Sequence, residues 1–391
     1  MSISAHRVTE IREHSLRGGI LPACAKKAIS LAIGEPGFAT PACIIKAQAD
    51  ALDQGLTHYA PQTGDPVLVS AILKHAIPAP LNGITPENVL ITHGGTAGLS
   101  CSIMGLINPG DRVLIENPTY SLYADSVRMA GGTIETFSRA DDGSIDFDDL
   151  RARAAGAKML IICQPSNPTG TILTAQDWQH VARIATDFNL IVLSDEAYDG
   201  IIFDGCKFTS ALDVPDLQDR LIVSRTFSKK YAMTGWRVGY LIGTRALIAA
   251  ATVMHRTFNG AVNSANQRAA ATALSDAAQA AESMRVEFQA RRALMISCLE
   301  GRADLQFAAP SGAFYLWIAY PTTFGESLMV AKQCLEQGVI VRPGSEFGTM
   351  GKYRIRLSFA PERATIEEGC QRLLKVFRVK QGNIKNFKNI A

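Results

Sequence analysis

At 391 residues, 47% of them hydrophobic and 19% charged, the chain is long enough for two domains, or for one large domain with a smaller companion. A formal net charge of +3 leaves no basic excess of the kind that nucleic acid selects. The N-terminal "MSISAHRVTEIREHSLRGG" mixes charges and lacks the apolar core of a secretory leader, so a cytoplasmic chain is expected.

The longest run free of Asp, Glu, Lys and Arg, Asn88 to Gly110, is broken by His93, Gly94, Gly95, Gly98 and Gly105. It reads as a strand turning into a helix, and no membrane span is expected. Five short runs follow one another, each trailed by a helix-like segment: "NVLIT" (88–92), "RVLIE" (112–116), "KMLIIC" (158–163), "LIVLSD" (190–195) and "RLIVS" (220–224). They are apolar throughout instead of alternating, as strands covered on both faces are, which predicts a mostly parallel, doubly wound sheet. The segment "TAQDWQHVARIATDFN" (174–189) has apolar positions at helical spacing behind a Thr that can cap. A long helix is expected over 276–300, and after it "GAFYLWIAY", "GVIVRPG" and "YRIRLSFA" suggest a smaller sheet in a second domain, joined by about the first 40 residues. The closing "KQGNIKNFKNIA" is basic and aperiodic, as a loose tail is. Cys24, Cys43, Cys101, Cys163, Cys206, Cys298, Cys334 and Cys370 form no C-x-x-C pair; several lie in apolar runs and read as buried thiols of a reducing compartment.

Ligands of doubly wound sheets gather beyond the carboxyl ends of the strands. The residues there are Gly94-Gly95-Thr96, Asn117-Pro118-Thr119-Tyr120, Pro165 to Gly170, Asp195-Glu196-Ala197-Tyr198 and Thr226 to Lys229. The first group fits either an anion cradle at a helix N-terminus or an ordinary tight turn, and it is not a dinucleotide fingerprint. Asp195, partly desolvated, either meets a cation or caps the next helix. Of the two adjacent lysines, Lys229 is the candidate nucleophile if the pocket receives an aldehyde, because burial or a neighbouring cation makes an amine reactive. Arg237, eight residues on, can clamp a phosphate with its planar fork.

The stretch "SKKYAMTGWRVGY" (228–240) resembles the lysine motif of the class I and II aminotransferases, pyridoxal-phosphate enzymes of fold type I, which read S-K-x-x-x-M-T-G-W-R-x-G-Y. Further motifs similar to that family appear in its order: "ISLAIGEPGFATP", "THYAPQTGDP", "ITHGGTAGL", "QPSNPTG", "SDEAYDG", "SGAFYLW", "VRPGSEFG" and "RLSFA". The resemblance implies an α/β fold with a large doubly wound, mostly parallel cofactor domain over 43–290. A smaller α/β domain would span 291–391, with 1–42 as an arm and part of that small domain. It implies ping-pong transfer of an amino group from an L-amino acid to a 2-oxo acid, with a C–S lyase, cyclase or oxidase as the alternative on the same scaffold.

The same resemblance implies roles residue by residue. Lys229 would carry pyridoxal 5'-phosphate and move the Cα proton, and Asp195 would hold the ring nitrogen protonated. Asn167 and Tyr198 would bond the ring hydroxyl, and Tyr120 would stack on the ring. Gly95, Thr96, Ser228, Arg237 and Thr226 would bind the phosphate, joined by Tyr59 from a neighbouring subunit, which implies a homodimer with shared sites. Arg356, with Arg354 as its near neighbour, would grip the α-carboxylate, and Gly34 would lie in a segment closing over the substrate. No metal is implied. Gly37 departs from the family's usual Asp, Val69 from its usual Arg, and Thr96 stands where one aspartate aminotransferase branch has a lysine for the distal carboxylate.

Overall fold

The computed structural model describes residues 3–14, 28–77, 83–140 and 142–377. The basic stretch at 380–391 and Cys24 lie outside them. Twelve strands are present among the described residues. In chain order they are β1 (Ile29–Ser30), β2 (Val89–Thr92), β3 (Arg112–Asn117), β4 (Thr133–Ser138), β5 (Ala157–Cys163), β6 (Ile191–Asp195), β7 (Leu221–Thr226), β8 (Gly239–Gly243), β9 (Tyr315–Ala319), β10 (Val339–Ile340), β11 (Arg342–Pro343) and β12 (Arg354–Ser358).

Seven strands make one sheet in the order β2-β8-β7-β6-β5-β3-β4. All its neighbours pair in parallel except β8, which runs antiparallel to both β2 and β7. The continuous apolar runs have the expected cause. Along β5, Leu160 and Ile162 join the core on one face, while Met159, Ile161 and Cys163 join that on the other. The helix Ala175–Asp187 covers the first face with Trp178, Val181, Ala182, Ile184 and Ala185, and Thr174 closes a capping box with Asp177 that contributes about 1 kcal/mol.

Two strands of this sheet were not anticipated from sequence. The edge strand β4 is largely polar, "TIETFS", with Phe137 as its fully buried residue. The other, β8, is flanked by glycines and begins at the edge where its neighbours end, since Gly239 is in register with both Thr92 and Thr226. That reversal puts Arg237, two residues before β8, at the carboxyl edge of the parallel strands.

The second core surrounds a three-stranded antiparallel sheet, β11-β12-β9, and the helices Ala278–Leu299 and Arg363–Val376. The parallel pair β1–β10 ties Ile29 and Ser30 to Val339 and Ile340. The thiols need one correction: Cys101, Cys163, Cys334 and Cys370 are buried, but Cys43 and Cys206 are exposed. Among the described residues no helix is long and apolar enough to cross a membrane, and no cluster of metal-ligating side chains forms.

Candidate active site

One cavity of about 1050 Å³, its open mouth included, lies at the carboxyl edge of the large sheet and is walled on the other side by β9, β11 and β12. Its lining includes Gly34, Gly95, Thr96, Tyr120, Asn167, Asp195, Tyr198, Thr226, Ser228, Lys229, Arg237 and Arg356. All the expected site residues meet there except Tyr59, whose side chain is 95% exposed and outside the lining. Arg354, the neighbour of Arg356 on β12, does not line the cavity.

Asp195 ends β6, and its carboxylate is buried. Among the described residues no salt bridge completes it, although the Lys229 ammonium acts on it from farther off. The Tyr123 hydroxyl donates to Oδ2 at 2.6 Å and the Ala197 N–H to Oδ1 at 3.1 Å. Burial pushes the Asp195 carboxyl up to about 6, against the opposing pull of these two hydrogen bonds. The result is a carboxylate held ready for a cation.

Lys229 lies in the short helix Phe227–Lys230 that follows β7. Its Nζ donates to the Gly34 carbonyl at 2.6 Å. Burial pushes the ammonium down to about 8, with Arg237 and Arg356 adding to the effect and Glu35 and Asp195 resisting it. The adjacent Lys230 packs its stem against Gly200 and does not line the cavity.

The N-terminus of the helix Gly94–Leu106 opens onto the same cavity. Gly94 takes φ +72°, and a Cβ there would stand 2.7 Å from Arg237 Nη2, so glycine permits the guanidinium to lie over the helix end. Arg237 is oriented by donating Nη1 to the Thr234 carbonyl at 2.8 Å. The Ser228 hydroxyl accepts from Thr226 Oγ1 at 2.9 Å, which leaves its own proton for a ligand. Backbone N–H groups, a helix dipole, hydroxyls and a guanidinium converge as an anion site.

Arg356 is buried and has no carboxylate partner among the described residues. It donates Nη1 to Asn167 Oδ1 at 2.8 Å and Nη2 to the Ala32 carbonyl at 2.6 Å, while its guanidinium lies 4.0 Å from the Tyr315 ring centroid and 4.8 Å from that of Phe347. These contacts fix the fork and leave donors for a carboxylate. Asn167 spends its oxygen on Arg356, so its amide nitrogen remains free to donate into the cavity. Tyr198 and Tyr315 share a hydroxyl contact of 2.7 Å.

Tyr123, Tyr315, Arg342, Glu346 and Phe347 are site or supporting residues that the sequence did not single out. Tyr123 carried a usable signal, standing three residues after Tyr120. Gly34 is explained by Tyr315, whose hydroxyl would collide with a Cβ built at position 34.

Taken together, the donor set fits pyridoxal phosphate. The anion site could receive a phosphate, the uncompensated carboxylate a cationic ring nitrogen and the amine of reduced basicity an aldehyde, while Tyr120 offers an aromatic face.

Comparison with known proteins places this geometry among related chains. Residues 26–373 match the family described as aminotransferase class I and II. A probable aspartate aminotransferase of Methanocaldococcus jannaschii is 35% identical over 356 residues, covering 89% of this chain and 93% of that protein. An aromatic-amino-acid aminotransferase of Thermococcus litoralis is 34% identical over 368 residues, covering 90% of this chain and 92% of its own length. The crystal structure of an aromatic aminotransferase from Pyrococcus horikoshii superposes with a TM-score of 0.85 at 32% identity, over 90% of this chain and 96% of that one.

Proposed function

The chain belongs to the class I and II aminotransferases, and from that premise we propose that its cavity binds pyridoxal 5'-phosphate through Lys229 and uses Arg356 to orient the substrate. The protein is an aminotransferase, passing an amino group from an amino acid to a 2-oxo acid. When bound, the cofactor supplies an aldehyde for the amino group and a ring that takes up the electron pair left at Cα.

The remaining work falls to the chain. Gly95, Thr96, Ser228, Thr226 and Arg237 would hold the phosphate, and Tyr120 would offer its ring to the cofactor. Asp195, oriented by Tyr123, keeps the ring nitrogen protonated, because an ion pair there relieves the cost of a buried carboxylate. Asn167 and Tyr198 donate to the ring oxygen. Arg356 would bind the α-carboxylate in two-pronged fashion and so orient the substrate before proton transfer. Lys229, whose amine would hold the cofactor, would serve as the base that takes the proton from Cα and gives it back on the far side of the amino nitrogen. An amine with its proton affinity lowered to about 8 suits both directions of that transfer.

The observation that carries this reading is the meeting of Lys229, Asp195 and Arg356 in one cavity, each with its charge or reactive atom uncompleted by the protein. Incubation with amino acids and 2-oxoglutarate tests it: a new 2-oxo acid in step with glutamate supports transfer. Pyruvate with free ammonia would instead indicate a lyase.

The reading extends to assembly. Tyr59, exposed and outside the lining of its own cavity, suits a contact with the phosphate of a second copy in a homodimer. Light scattering giving a monomer at working concentration would remove that role. The proposed division, a cofactor-binding part over 43–290 with 1–42 and 291–391 forming the smaller part, draws support from the β1–β10 pairing. A cytoplasmic setting fits the free thiols.

A further inference from the structure

The cavity wall formed by the small sheet carries a charged pair that none of the steps above employs. Arg342 on β11 stands directly across from Arg356 on β12, so the two side chains share a face of the sheet, and both line the cavity. Like charges so placed repel. Glu346, four residues along, offsets them: Arg342 Nη1 donates to its two oxygens at 3.2 and 3.4 Å. These contacts are long for a charge-assisted pair. They engage one nitrogen only, and Nε and Nη2 of Arg342 have no acceptor among the described residues.

The two partners differ in freedom. Glu346 is 11% exposed, in a turn pinned by Ser345 N–H to Ser327 Oγ at 3.1 Å and by Thr119 N–H to the Phe347 carbonyl at 2.8 Å. Arg342 is 29% exposed and lines the cavity. The unspent hydrogen-bonding capacity is therefore cationic, and both oxygens of the carboxylate are already engaged.

We propose that Arg342 receives the distal carboxylate of dicarboxylic amino and 2-oxo acids while Arg356 holds the α-carboxylate, and that Glu346 positions Arg342 and tempers its charge. The proposal rests on the aminotransfer reading and names the substrate class of the same site. With Glu346 beside it the pair is neutral, so a monocarboxylic substrate leaves it undisturbed, whereas an acidic side chain finds two donors waiting. It also supplies a cation for the distal carboxylate where Thr96 supplies none.

Calorimetric titration of the holoenzyme with glutarate and with butyrate, neither of which has an amino or oxo group to react, tests this directly. Arg342→Gln is expected to weaken glutarate about 10- to 100-fold more than butyrate, the scale of a lost charge-assisted contact. Glu346→Gln, which keeps an acceptor but removes the charge, is expected to move the glutarate-to-butyrate ratio the other way, which a merely structural role would not do. Arg342→Lys, retaining charge without the fork, should fall between and serves if Arg342→Gln fails to fold. Equal weakening of both ligands, or an unchanged ratio in both variants, overturns the proposal. So would tighter binding of 5-aminopentanoate than of glutarate, lost in Glu346→Gln, which would make the carboxylate the contact. In the same preparation, glutamate and 2-aminobutyrate should each change the cofactor's absorbance. If neither does, the aminotransfer reading itself fails, separately from the binding ratios.

Discussion

Asp195 and Glu196 are adjacent, both buried, and treated in opposite ways by the fold. Asp195 faces the cavity with a phenol and one N–H for company, and burial pushes its carboxyl up to about 6. Glu196 faces away, fully buried, and receives Arg225 Nε at 3.0 Å and Nη2 at 2.8 Å, with Ser194 Oγ, Ser210 Oγ and the Ala211 N–H besides. Alternation along the chain sends one charge to the ligand side and the other to the core. The same contrast separates Arg356, lacking a carboxylate, from Arg225, which has one. Charges that the core completes hold the fold together, and charges that it leaves incomplete define the site.

The contrast breaks at once if Lys229 is dispensable. Lys229→Ala should lower turnover by about 10⁴-fold, whereas Lys230→Ala, outside the cavity, should retain turnover; similar rates in the two variants would refute the assignment.

Stability should separate the two carboxylates by sign. Glu196→Gln strands the buried Arg225 charge and should destabilise the cofactor-free protein by about 3–5 kcal/mol in urea unfolding. Asp195→Asn should do the reverse at pH 7, stabilising it by up to about 3 kcal/mol, since about two pKa units of unfavourable burial disappear. The folded carboxyl, near 6, holds its proton more tightly than the unfolded one, at 3.8. The cofactor-free protein therefore loses stability as pH rises from about 4 to 6, and that slope should be shallower in Asp195→Asn. Destabilisation by both substitutions would erase the distinction.

The smallest effect belongs to the supporting phenol. Tyr123→Phe removes the 2.6 Å hydrogen bond to Asp195, pushes the carboxyl higher still, and should reduce kcat/KM about tenfold, with cofactor binding weakened in parallel. A kcat/KM equal to that of the parent would show that Tyr123 only fills space.

Much of this arrangement is legible in the sequence. Strands β2, β3, β5, β6 and β7 show themselves because side chains on both faces are apolar. The polar edge strand β4 has little such signal, and β8 is short and bounded by glycines. The residues after the parallel strands could be gathered into a site on topology alone, since one edge of the sheet collects them. Tyr315, Arg342 and Glu346 could not, because they enter the cavity only when the small sheet docks against the large one, and no local pattern encodes that docking. The source of a cation for Asp195 was not legible in the residues alone for a related reason: desolvation shows that a partner is needed but not whether chain or ligand provides it.

The central claim is that the amine at position 229 is the one left reactive for the cofactor's aldehyde. Borohydride reduction of protein incubated with pyridoxal phosphate, followed by digestion and mass mapping, should place a single pyridoxyl label on Lys229. A label on Lys230 or elsewhere, or none at all, would contradict the account.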